Sequence, residues 1–250
     1  MLSVPGHLPA GALLDDGAIP LTTLIAELGA HWFSFDRTLA EMQGDTITGL
    51  PARTGGNHAR PTDANVGNAR LIQYRGADVL ATTPRTNCGF VLSERVKCET
   101  ISVACVFDAP GGAGETLWCV DAKKGDRAVV LVERGGVVHL TDRAGERTVS
   151  APLVPGGAMQ VAFATLTDDV LSLIVGEAPA VQAQFPGSFR AGPADVFFAC
   201  RRGRQGLLNT LGDLRLGDVI LFPDRDICAP DAAVIRARLR AYAAEVFHGI

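Results

Sequence analysis

The chain has 250 residues, 47% of them hydrophobic and 20% charged, with a formal net charge of -4. This is the make-up of an ordinary globular protein, long enough to bury a core in one large β domain or two small ones. The acidic balance excludes nucleic-acid binding by bulk electrostatics, and no apolar run approaches the length of a membrane span.

Residues 1–30 differ from the rest. Their opening, MLSVPGHLPAGALLDDG, has neither a basic leader nor an unbroken apolar segment, so no signal peptide and synthesis in the cytoplasm are expected. Prolines and glycines occupy four of the first eleven positions, and a short helix candidate follows from Leu21 to Leu28. Leu8, Leu13, Leu14, Ile19, Leu21, Leu24, Ile25 and Leu28 are apolar anchors that so short an arm cannot bury alone. The arm is expected to be the attachment and assembly element of a homo-oligomer, ordering against a neighbouring subunit or partner protein. The competing expectation is that it covers an edge of its own sheet.

From Trp32 onward the pattern is one of short strands and turns, read as a single domain over residues 31–250. Thr46-Ile47-Thr48 and Ala69 to Tyr74 are strand-like, separated by the turn signals at Gly55-Gly56-Asn57. Thr100 to Phe107 alternates, with Ile101, Val103, Cys105 and Phe107 on one face. Thr116 to Val120, Arg127 to Val132, Val137 to Leu140, Thr148 to Leu153, Met159 to Thr165, Val170 to Val175 and Val196 to Cys200 follow at close intervals. Arg134-Gly135-Gly136 is a hairpin signal among them. About a dozen short strands at this spacing predict an all-β sandwich or barrel.

The last 40 residues carry the clearest pattern. Leu214 and Leu216 share a face, Gly217-Asp218 breaks the alternation as a bulge would, and Val219 to Phe222 is apolar on both faces. Pro223, Asp224 and Asp226 supply turn chemistry. Pro230 suits a first helical position, and Asp231 suits the positive end of a helix dipole. Ile235, Leu239, Tyr242 and Val246 then recur at helical spacing, with Arg236, Arg238, Arg240 and Glu245 expected outward. A C-terminal helix over residues 230–248 is predicted to dock on the β body.

The six cysteines, Cys88, Cys98, Cys105, Cys119, Cys200 and Cys228, form no C-x-x-C pair and no zinc spacing. Several lie within strand-like runs, where cysteine acts as a small hydrophobe, so buried thiols are expected over a disulfide framework.

Five stretches carry a resemblance: His31-Trp32-Phe33-Ser34, the turn from Gly44 to Gly55, Ala59-Arg60-Pro61-Thr62, Gln73 to Leu80, and the closing strand and helix from Leu216 to Phe247. Together they resemble the concanavalin A-like lectin/glucanase jelly roll in its LamG-like form, of the type found in spikes and tail fibres of phages and phage-like particles such as gene transfer agents. The resemblance covers residues 31–248. It implies a two-sheet antiparallel jelly-roll sandwich with one C-terminal helix, a virion location, and a spike, fibre or tail role in contacting cell-surface polysaccharide and other particle proteins. The chain departs from the pattern at Leu50, where an aromatic is usual, and at Val175-Gly176-Glu177, where a D-G or N-G turn is common. The calcium-binding asparagines and aspartates of laminin-type modules have no clear match, so no metal and no cofactor are expected.

Glucanases of this fold usually carry their acids as E-x-D-x-x-E on one strand, because alternate residues share a face. That string is absent. Glu115 with Asp121, Asp168 with Asp169, and Asp213 with Asp218 are the nearest approximations. His7, His31, His58, His139 and His248 are scattered, and no G-x-S-x-G string occurs. No catalytic residue is expected, and the chain reads as a non-enzymatic binding domain. Sugar binding asks for less: an aromatic face for the ring and planar polar groups for the hydroxyls. Trp118, with Asp121 and Lys123 just after it, is one candidate group. Arg201, Arg202, Arg204 and Gln205 are another, suited to acidic polysaccharide through bidentate contacts. The plainer alternatives are a core tryptophan and a solvated arginine turn.

Overall fold

A computed structural model describes residues 19–97, 99–122, 128–154, 158–167, 170–184, 193–202, 209 and 211–248. After helix α1 (Leu21–Glu27) come β1 (His31–Ser34), β2 (Glu41–Gln43), β3 (Thr46–Pro51), β4 (His58–Pro61), β5 (Arg70–Tyr74), β6 (Ala77–Ala81) and β7 (Phe90–Leu92). The middle of the chain supplies β8 (Ile101–Asp108), β9 (Glu115–Asp121), β10 (Ala128–Arg134), β11 (Val137–Asp142), β12 (Thr148–Pro152), β13 (Gln160–Leu166) and β14 (Val170–Val175). β15 (Val181–Gln184), β16 (Asp195–Phe198), β17 (Arg215–Pro223) and helix α2 (Ala233–His248) complete it.

The turns follow from local chemistry. Arg75 and Gly76 both have positive φ, at 51° and 92°, as do Gly135 and Gly136 at 60° and 79°. Left-handed pairs of this kind match the twist of two-residue hairpins, and they join β5 to β6 and β10 to β11. The strands assemble into two antiparallel sheets. One has eight strands in the order β15-β14-β13-β8-β17-β6-β5, with β1 also on β17; the other has nine, in the order β12-β11-β10-β9-β16-β7-β4-β3-β2. Packed face to face, with helix α2 outside, they form the expected jelly-roll sandwich of concanavalin A type.

Alternation along the strands divides the apolar residues among three clusters. The largest lies between the sheets and includes Phe33, Phe90, Phe107, Trp118, Phe198 and Leu216. A second, on the outer face of the eight-stranded sheet, joins Trp32, Phe163, Ile220 and Phe222 to Leu239, Ala243 and Phe247 of α2. Cover on both faces is why all eight residues of β8 are buried. A third, smaller cluster, including Val91, Cys119, Val130, Phe197 and Cys200, lies on the outer face of the nine-stranded sheet. The cysteines described, all but Cys98, are buried free thiols.

β17 sits at the centre of this construction. Its register against β8 slips between Leu216 and Asp218, so the break predicted at Gly217 is a β-bulge. Before the bulge β17 pairs with β6, and after it with β1. A Cβ on Gly217 would lie 2.5 Å from the Phe247 ring, so only glycine lets the last turn of α2 seat there. Beside it Asp218 is wholly buried, accepting from Trp32 Nε1 at 2.8 Å and from the Tyr242 hydroxyl at 3.0 Å.

Two expectations need correction. Arg236 does not face outward: it is buried, and its Nη1 donates to the carbonyls of Ile227 and Ala229 at 2.7 and 2.6 Å, pinning the loop that precedes the helix. In the arm, Ile25 is fully buried in the cluster under α2, with Leu21 and Leu28 packed partly against it. Arg238 Nη2 also donates to the Ile19 carbonyl at 2.5 Å. Ile25 thus belongs to the chain's own core rather than to a partner, because the sheet face beneath α1 is apolar and needs cover. Leu24 is half-buried and Ile19 is 45% exposed, while Leu13 and Leu14 lie outside the described residues.

Candidate functional site

The outer face of the nine-stranded sheet is where, among the described residues, side chains gather without a helix above them. On β9 a bulge opposite Leu131 and Val132 turns Leu117 and Trp118 both inward, with Val120 continuing that face. Cys119 and Asp121 therefore point out. Trp118, 1% exposed, packs between the sheets with its Nε1 unpartnered, and has no ring face to offer a sugar. This corrects its candidacy as a stacking residue. Asp121 stands directly opposite Asp195 of β16. Each meets a guanidinium: Arg202 Nε lies 3.1 Å from Asp121, and Arg95 Nε lies 2.9 Å from Asp195. A looser pair, Arg60 with Asp63 at 3.7 Å, lies beyond. Between them a shallow groove of about 680 Å³ has Val91 and Phe197 as its floor, and Ser93 adds a hydroxyl.

Polar side chains continue past Ser93. Ser93 Oγ is 3.3 Å from one ring nitrogen of His58, and the other ring nitrogen is 3.3 Å from Glu41 Oε2. The two side chains close over Gly49 of the intervening β3, where a Cβ would collide with Glu41 Oε2 and lie 2.6 Å from His58 Nε2.

Of the candidates from sequence, the structure brings Asp121 and Arg202 together in the groove. Arg201 lies outside it, its Nε donating to Thr116 Oγ1 at 3.2 Å; burial, and then nearby Arg134, hold its guanidinium below the ordinary arginine range. Lys123, Arg204 and Gln205 lie outside the described residues. Arg60, Arg95, Asp195 and Ser93 were not singled out, because strands distant in sequence bring them together. The one local signal was parity: residues 118 and 121 differ by an odd number, and so face opposite sides of a regular strand.

The acid pairs fare differently. Glu115 and Asp121 stand at opposite ends of β9, roughly 20 Å apart at about 3.3 Å per residue, whereas paired glycosidase carboxyls lie within about 5–9.5 Å. Glu115 pairs instead with Arg134 at 2.9 Å. Asp218 is sealed in the core, which separates it from Asp213, and Asp168 and Asp169 lie outside the described residues. Among the described residues no group of three His, Cys, Asp or Glu is placed to hold a metal ion.

No protein-family model matches the chain, and no curated protein matches it. Solved structures do. A Trypanosoma rangeli sialidase, in complex with 2,3-difluorosialic acid, superposes with a TM-score of 0.55 at 12% identity, over 78% of this chain and 30% of that one. The binding domain of botulinum neurotoxin serotype D gives 0.54 at 9% identity, over 88% of this chain and 53% of that one. The chain thus spans about a third and about half of those two lengths. Domains LG4-5 of the mouse laminin alpha1 chain align over 54% of this chain and 39% of that one, at 12% identity and a lower TM-score of 0.41. At these identities the likeness is one of fold, a concanavalin A-like sandwich.

Proposed function

We propose that this sandwich is a non-catalytic carbohydrate-binding domain whose ligand lies in the groove between Asp121–Arg202, Asp195–Arg95 and Arg60–Asp63. The observation that carries the reading is the pairing itself. Carboxylates and guanidiniums already held by one another present fixed donors and acceptors to sugar hydroxyls at little further ordering cost. In this groove the described arginines are matched by aspartates, which suits a hydroxyl-rich ligand better than a polyanion. The fold neighbours include a toxin binding domain and a sialidase with a bound sialic acid analogue, which is compatible company. The finer part of the proposal is that the domain serves a phage-like particle as a spike, fibre or tail component contacting host surface polysaccharide. That part rests on the sequence resemblance over residues 31–248.

An array of capsule, lipopolysaccharide and neutral glycan fragments tests the binding. Retention by the wild-type protein, lost in Arg202→Ala and in Asp195→Asn, is the expected result. A blank array from a protein that still co-purifies with the products of neighbouring genes would instead mark a purely structural subunit. One observation favours a second reading, a glycoside hydrolase: Asp121 and Asp195 are direct cross-strand neighbours, a juxtaposition no sequence string shows. Release of reducing ends from a retained polymer, abolished by Asp195→Asn, would establish that reading and displace the first.

A further inference from the structure

The polar row beyond Ser93 gives the groove a direction. Asp121 is on β9, Asp195 on β16, Ser93 just after β7, His58 on β4 and Glu41 on β2, and the sheet order is β9-β16-β7-β4-β3-β2. These side chains therefore step across the strands on one face of the sheet. The five strand spacings between β9 and β2 span roughly 24 Å at about 4.8 Å each. That is far more than a single sugar ring occupies.

The far end is braced through its backbone. Ser93 N–H donates to the His58 carbonyl at 2.7 Å, which fixes the two residues opposite each other. Buried Asn57 locks the neighbouring backbone: its Oδ1 accepts from His58 N–H at 2.9 Å and Glu94 N–H at 3.3 Å, and its Nδ2 donates to the Glu94 carbonyl at 3.2 Å. The missing side chain at Gly49 lets the His58–Glu41 pair lie down over β3. What results is a hydroxyl, imidazole and carboxylate in line, with both donors and acceptors to offer.

We infer that Ser93, His58 and Glu41 form a second subsite, continuous with the groove, and that the ligand is an internal stretch of a linear polysaccharide lying across the strands, not a terminal sugar. This rests on the proposed carbohydrate reading and sharpens it. A site for a chain end needs only the Asp121–Asp195 region. A site for a polymer needs side chains prepared at both ends, as here.

The test uses the full chain and graded oligosaccharides, from monosaccharide to octasaccharide, prepared from β-glucan, mannan and galactan and from partial hydrolysates of any polymer retained on the array. Titration calorimetry should show affinity rising at least about tenfold from disaccharide to the longest oligomers. His58→Ala and Glu41→Ala should each weaken the longest oligomers by about five- to tenfold, with a distinctly smaller loss for the disaccharide. Arg202→Ala should weaken both alike. Affinity that saturates at the mono- or disaccharide overturns the inference while leaving carbohydrate binding intact. So does an equal effect of His58→Ala on short and long ligands, or no effect on either. Failure of every glycan to bind removes the carbohydrate reading, and the subsite with it.

Discussion

Asp218 is a carboxyl with no exposed surface, and its neighbours divide in their effect. Burial pushes its pKa up from 3.8 to about 6, while hydrogen bonds from Trp32, Ser34 and Tyr242 and the charge of Arg53, stacked 4.3 Å over the Trp32 ring, favour the ionised form. The folded chain therefore binds this proton more tightly than the unfolded chain. The contribution to stability is complete below about pH 4 and is lost as pH rises through about 6. Asp218→Asn cannot ionise, so its stability relative to wild type should improve as pH rises from 4 to 6. Urea titrations across that range would show it, and a pH-independent difference would contradict the buried carboxyl. At the groove, Arg95→Ala should reduce glycan affinity by about tenfold or more, yet barely move the melting temperature, because its partly exposed pair with Asp195 adds about 1 kcal/mol or less to stability. Trp118→Phe should do the reverse, lowering the melting temperature through lost packing while leaving affinity unchanged.

Helix α2 and the bulge beneath it depend on each other through one contact. Gly217→Ala would drive a methyl into the Phe247 ring and should cost about 1–3 kcal/mol, read as a lower denaturant midpoint. Adding Phe247→Leu should recover part of that loss, since two touching residues couple; additive losses would show that they do not meet. These two elements were legible in the sequence because their determinants are local. Gly217-Asp218 interrupts an alternating run, Pro230 and Asp231 open a helix, and Arg134-Gly135-Gly136 turns a hairpin. Arg236 was misread for a related reason. Three residues before Leu239, it lies on the same buried face of the helix, but its charge marked it as outward, and the carbonyls that satisfy it belong to the chain before the helix. The groove was mostly illegible. Asp121 meets Asp195 only because β16 returns beside β9, and Ser93 meets His58 and Glu41 only because β7, β4 and β2 lie in one sheet. Trp118 and Asp121 looked like one group because they are close in sequence, when strand parity and a bulge set them on opposite faces.

For the molecule as a whole, α1 is part of the body. Removing residues 1–18 should leave the cooperative melting transition in place. Extending the deletion through residue 28 should destabilise the body by several kcal/mol, about 2–5 of them from the loss of Ile25 alone. Thermal melts with light scattering on both truncations would separate this from an assembly role, which predicts a change in oligomeric state at the first deletion. The position of β17 has a consequence for how the protein comes into being. The strand that joins β8, β6 and β1 is the last of the strands to leave the ribosome, and the Trp32–Asp218 bond closes a loop of 186 residues. At about 5–20 residues per second, β8 waits on the order of ten seconds for its neighbour. Throughout that wait its apolar residues and unpaired edge are open to other nascent chains. Such long-range closure is slow to refold, and a message cut short before residue 215 would yield a sheet with its middle strand missing, material for proteases and chaperones rather than a smaller working protein.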